Sequence, residues 1–260
     1  MSVFMLRIIS ILSALFLIAP AHAAVLNLPT VTIMADHNLS LAVTEIARDY
    51  SRNNQVVVNT SFTSQEAQQK QISEGSSADI LITTKEAWIN DLKLQGLVDI
   101  YSQFKLASDR LVLIGSSQSS VASQGAGHFP TVDIIKAMNG EPMFLLESPE
   151  TPEGAYAKEA LRNLGVASDL EPYTLYVKKT EDIFSAVVEK QAFAICFNSS
   201  IHERSDTKTI YVIPESAHKP IAYNAVVIAG DNMDEARKFL DYLKSKEVKT
   251  IIKNHGLNTD

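Results

Sequence analysis

Short apolar runs alternate with amphipathic stretches along most of this chain, and that alternation limits the folds open to it. Residues 31–34 (VTIM) read as a strand. Leu39, Val43, Ile46, Ala47 and Tyr50 follow at helical spacing. Residues 55–58 form the next strand, 66–74 a helix ended by Gly75, and 79–83 (DILIT) a third strand. Residues 85–94 form a helix stopped by Gly96. This order predicts a parallel sheet covered by helices. A second unit opens near Arg110 with a strand at 111–114 and a loop rich in Ser, Gln and Gly at 115–127. Helices are predicted at 131–138, 153–164 and 182–190, and strands at 143–146, 174–178, 193–197, 209–213 and 222–229. Helices at 233–244 and 246–254 close the chain. The expected fold is α/β in two lobes, with a ligand cleft between them at the carboxyl ends of the strands.

Residues 1–23 stand apart. Arg7 precedes an apolar run at 8–18, Pro20 ends it, and Ala21-His22-Ala23 matches a small-residue cleavage site. A membrane span needs about 20 apolar residues, and this run is shorter. A cleavable export signal is therefore expected, leaving 260 − 23 = 237 residues. No Cys follows the run, so a periplasmic protein without a lipid anchor is expected.

Composition narrows the chemistry. With 46% hydrophobic and 20% charged residues, the chain is neither disordered nor of low complexity. Lys+Arg is 23 against Asp+Glu 30, a net charge of −7. Loss of Arg7 with the leader makes it 22 − 30 = −8. No basic cluster offsets this, so nucleic acid is not an expected partner. The single cysteine, Cys196, excludes an internal disulfide framework. It sits in the apolar run 193–197 and reads as a buried, inert thiol. The nucleophile-elbow, P-loop, zincin and dinucleotide motifs are absent, and no His pair has metal-ligand spacing. Asp36-His37 follows a strand end but reads as a solvated loop pair. Glu141, Glu147, Glu150 and Glu153 read as an exposed acidic rim around another strand end. No enzymatic activity, metal or cofactor is expected.

Several segments together resemble the periplasmic molybdate-binding proteins of ABC importers. The most specific are residues 152–161 (PEGAYAKEAL) and 213–221 (IPESAHKPI). Lys70-Gln71-Ile72, Ala78-Asp79-Ile80, Lys85-Glu86-Ala87-Trp88, Asp109-Arg110-Leu111-Val112-Leu113 and residues 243–256 fit as well. The resemblance implies a type II periplasmic-binding-protein fold, each lobe a mostly parallel sheet flanked by helices. Residues 24–110 and 224–260 would form one lobe and 111–223 the other. It also implies a monomer that captures a molybdate-like oxyanion and delivers it to an ABC importer permease. Such an anion can be held without Lys or Arg, by hydroxyls, backbone N–H groups and helix N-termini.

Position by position, the resemblance points to altered pocket residues. Where the family has a Ser after the first strand, this chain has Asn38. The second family Ser matches Gln65, with Ser64 its neighbour. Backbone N–H groups are implied at Glu153 and Ile183, and the family's Tyr is replaced by Phe197. Asn38 and Gln65 keep N–H donors, Phe197 loses a hydroxyl, and Glu153 brings a like charge to an anion site. Two alternatives therefore stand beside the oxyanion: a different small polar ligand in the same fold, or a non-transport interaction protein with a vestigial cleft.

Overall fold

The structure, a computed structural model, describes residues 28–63, 65–75, 78–124, 127–178 and 180–259. The leader 1–23 and Ser64 lie outside the described residues. The first sheet contains β1 (Thr30–Ala35), β2 (Val57–Ser61), β3 (Ile80–Thr83), β4 (Phe104–Asp109) and β10 (Ile221–Val227). The second contains β5 (Leu111–Ser116), β6 (Phe144–Glu147), β7 (Thr174–Val177), β8 (Phe193–Phe197) and β9 (Thr207–Val212). The helices are α1 (Ser40–Asn54), α2 (Gln65–Ser73), α3 (Glu86–Leu94), α4 (Thr131–Met138), α5 (Pro152–Asn163), α6 (Ala167–Leu170), α7 (Thr180–Glu189), α8 (Met233–Tyr242) and α9 (Lys246–Asn254).

The two sheets share one plan. Their orders are β2-β1-β3-β10-β4 and β7-β6-β8-β5-β9. In each, the three strands that alternate with helices are parallel. The strand that has just crossed from the other lobe, β5 or β10, inserts antiparallel beside them. A further antiparallel strand, β4 or β9, completes each edge. The sheets are thus mixed, with parallel and antiparallel halves, where helix alternation alone suggests mostly parallel ones. β4 escapes the sequence pattern because only Phe104, Leu106 and Ala107 of its six residues are apolar.

Burial follows this layering. Both faces of β3, β5, β6 and β8 are covered, and every residue in them is buried. Helix α1 presents Ala42, Val43, Ile46 and Tyr50 to the first sheet, and α8 and α9 add Phe239, Leu240, Val248 and Ile252. Tyr50 meets Phe239 edge-on at 4.8 Å between ring centroids. In the second lobe Phe144, Phe193, Phe197, Leu161 and Ile210 share one core cluster. Cys196 is fully buried and free, and burial pushes its thiol well above the ordinary range, so it is inert.

One glycine fixes the start of α5. Thr151 caps the helix by accepting from the Gly154 N–H at 3.1 Å, and Pro152 occupies the first turn. The helix also packs so closely on the preceding loop that a Cβ at Gly154 would lie 2.2 Å from the Ser148 carbonyl and 2.4 Å from that of Glu147. Gly154→Ala should therefore cost about 1–3 kcal/mol, an overpacking penalty. Urea unfolding measures it, and an unchanged midpoint would contradict the packing.

Candidate functional site

A cleft of about 640 Å³ opens between the lobes. From the first lobe it is lined by Asp36, His37 and Asn38 after β1, by Phe62, Thr63 and Gln65 at the start of α2, and by Thr84 after β3. Tyr223 on β10 contributes as well. From the second lobe come Glu147 at the end of β6, Thr151–Glu153 at the start of α5, and Phe197 at the end of β8. Lys178 and Thr180–Asp182 line it at the start of α7. The carboxyl ends of parallel strands and the amino ends of α2, α5 and α7 thus face one space. The aligned peptide dipoles give the amino end of a helix a partial positive charge.

Asp36 organises the first-lobe wall. Its carboxylate accepts from the Thr84 N–H at 2.8 Å, the Thr84 hydroxyl at 3.1 Å, the Thr83 hydroxyl at 3.2 Å and the Gln65 amide at 3.3 Å. Gln65 also donates to Thr83 at 3.0 Å. Asp36 is buried, not the solvated loop residue its place after a strand suggests; only His37 faces water. Burial raises the Asp36 carboxyl above its ordinary range against these hydrogen bonds. Gln68, wholly buried, pins α2 by donating to the carbonyls of Ala35 at 2.8 Å and Thr63 at 3.1 Å.

Glu153 dominates the facing wall. One carboxylate oxygen accepts from the Phe197 backbone N–H at 2.7 Å, and the other from the Asn38 side-chain amide at 2.9 Å. The second of these bonds crosses the cleft from lobe to lobe. Glu153 is 3% exposed and Glu147 7%, so these two are not part of an exposed rim, whereas Glu141 and Glu150 are exposed. Glu147 accepts from the Thr180 hydroxyl. Burial, with the Glu147 carboxylate beside it, pushes Glu153 up to about 8. Asp109, at the first crossover, is pushed up to about 6 by burial while Ser199 and Arg110 donate to it.

Two hydroxyls complete the wall. Tyr223 has no exposed surface, and its hydroxyl has no partner among the described residues. The Thr63 hydroxyl is in the same condition. A buried hydroxyl without a partner costs about 1–3 kcal/mol, so each is a donor waiting for an acceptor.

The candidate residues from the sequence divide as follows. Asn38, Gln65, Glu153 and Phe197 meet in the cleft. Asn38 and Gln65 spend their amides on Glu153 and Asp36, and Phe197 offers its backbone N–H where its side chain offers no hydroxyl. The Ile183 side chain does not line the cleft; it is fully buried with Val112, Ile114 and Leu145 under α7. Ser64 lies outside the described residues. Sequence reasoning missed Tyr223 and Thr63; a Tyr inside a mostly aliphatic strand is the signal that could have found the first.

Two lobes with matching mixed sheets, joined by two crossovers and enclosing a polar cleft, define a solute-binding protein of the periplasmic type. A family model described as bacterial extracellular solute-binding protein matches residues 31–258, and the chain belongs to that family. It is 27% identical over 237 residues to the molybdate-binding protein ModA of Haemophilus influenzae, covering 88% of this chain and 89% of that one. It is 26% identical over 227 residues to the molybdate-binding protein ModA of Escherichia coli, covering 87% and 88%. Among solved structures, the periplasmic molybdate-binding protein of Azotobacter vinelandii superposes with a TM-score of 0.73 at 18% identity, covering 88% of this chain and 99% of that one. That likeness confirms the fold.

Buried acids give the cleft a pH signature. A carboxyl whose folded pKa lies above its unfolded value holds its proton longer when folded, so stability falls as pH rises between the two values. For Glu153 that interval runs from 4.5 to about 8, and Asp109 adds the same sign from 3.8 to about 6. Between these limits the wild-type melting temperature should fall relative to Glu153→Gln, which carries no titrating group there. Parallel melting profiles for the two chains would contradict the assignment.

Proposed function

We propose that this protein is the solute-capturing component of an ABC importer and that its cleft takes molybdate or a related tetrahedral oxyanion. The carrying observation is the convergence on one cleft between lobes of three helix N-termini and of two hydroxyls, Tyr223 and Thr63, that have no partner among the described residues. Each hydrogen bond to a charged group contributes about 1.5–3 kcal/mol, so a few such donors suffice without a lysine or arginine. The names of the relatives support the same ligand class.

The leader 1–23 would export the chain to the periplasm and be removed there, and the family's extracellular description supports export. Closure of the lobes on the ligand would present a surface to the importer permease. The protein would act as a monomer, without nucleic acid and without catalysis. Sheet membership of β4 and β5 supports a lobe boundary near Arg110, and that of β9 and β10 favours a second boundary between Val212 and Ile221, ahead of the one expected after Tyr223.

A second reading rests on one observation: Asp36, Glu147 and Glu153 are all buried on this cleft. Three buried acids suit a small polar ligand that brings positive charge. A thermal-shift screen of molybdate, tungstate, sulfate, amino acids and divalent cations separates the readings. An oxyanion at 100 times its dissociation constant should stabilise the fold by about 2.7 kcal/mol. Tyr223→Phe should weaken binding about tenfold or more, by loss of one charge-assisted bond. No shift with any oxyanion at millimolar concentration would reject the first reading.

A further inference from the structure

Glu153 sits where an incoming anion needs donors. Its two carboxylate oxygens take the Phe197 N–H from one lobe and the Asn38 amide from the other. Both donors border the cleft, and both are consumed by a group of the protein's own. The carboxylate is held at the first turn of α5, whose cap and close-packed Gly154 leave it little freedom to swing away.

We propose, building on the oxyanion reading, that Glu153 is the specificity-determining residue of this cleft and that oxyanion binds together with one proton carried by Glu153. Ionised, Glu153 competes with the ligand for Phe197 and Asn38 and repels it. Protonated, it is neutral and turns one oxygen from acceptor to O–H donor. The same side chain then adds a hydrogen bond to the ligand. The balance is simple: carboxylate, proton and oxyanion combine into a complex whose proton lies on Glu153 and bridges to a ligand oxygen.

The surrounding groups favour this. Glu147 at the end of β6 and Asp109 at the end of β4 repel a charge on Glu153, and burial adds the larger share. Tyr223 on β10 and Cys196 on β8 also stand within its field and bring no positive charge. The basic side chains lining the cleft are Lys178 and His37, and the His37 ring lies 3.8 Å from Glu181 at the solvent-exposed mouth. Glu181 and Asp182 at the start of α7 add further negative charge. Among the described residues, the groups that favour its ionisation are the two N–H donors it already uses and the positive end of α5, in whose first turn it sits.

The test is titration calorimetry with molybdate at about pH 6 and about pH 9.5, each in two buffers of different ionisation enthalpy. Wild-type affinity should be level below about pH 8 and weaken about tenfold per unit above it, with uptake approaching one proton per molybdate. Glu153→Gln, the isostere of the neutral acid, should bind with no such pH dependence and no proton uptake. Glu153→Ala is the second variant and should likewise take up no proton. Circular dichroism of all three chains in the same buffers checks that each is folded. Equal wild-type affinity at both pH values without proton uptake would overturn the proposal while leaving the oxyanion reading intact. Proton uptake that persists in Glu153→Gln would also overturn it. Absence of molybdate binding in every folded chain at both pH values would overturn the oxyanion reading and this proposal with it.

Discussion

A carboxylate taken out of water has to find hydrogen-bond donors or keep its proton, because an isolated buried charge costs far more than a fold this size can spare. Glu153 meets that demand with donors from both lobes. One bond, from the Phe197 backbone, lies within the second lobe; the other, from Asn38, spans the cleft. The relative position of the two walls and the chemistry of the space between them therefore depend on one side chain. Its competitor is any ligand that needs the same N–H groups.

Topology explains why the contest happens there. In each sheet the parallel strands end on the cleft, and the helices that follow begin on it. The two crossovers put β5 and β10 into the middle of the opposite sheets, which carries Tyr223 to the cleft and leaves its hydroxyl without a partner. Fixed dipoles pointing inward attract an anion, while Asp36, Glu147 and Glu153 repel one. The opposed fields are reconciled if Asp36 and Glu153 stay protonated, and burial drives both in that direction.

Periodicity is enough to place most elements. The spacing of Leu39, Val43, Ile46, Ala47 and Tyr50 locates α1 because a helix against a sheet needs one apolar face, and 193–197 is legible as a strand buried on both faces. The antiparallel insertions of β5 and β10 are not legible, since strand direction is set by crossovers and leaves no mark on a short apolar run. The site divides in the same way. Aligned motifs bring Asn38, Gln65, Glu153 and Phe197 together, yet the partners of each depend on side-chain geometry. Glu147 and Glu153 look like a solvated rim in one dimension because charge is visible in a sequence and burial is not. Tyr223 is hidden for a related reason: a missing hydrogen bond is a property of the assembled cleft.

The central claim is that the cleft holds a tetrahedral oxyanion whose companion proton sits on Glu153. A crystal structure of the protein grown with tungstate below neutral pH tests it most directly, because the anomalous signal of tungsten locates the anion without assumption. The expected result is one strong peak between the lobes, with tungstate oxygens within hydrogen-bond distance of the Tyr223 hydroxyl and of the Glu153 carboxyl group. A cleft without tungsten, or tungsten bound there beyond the reach of Glu153, would contradict it.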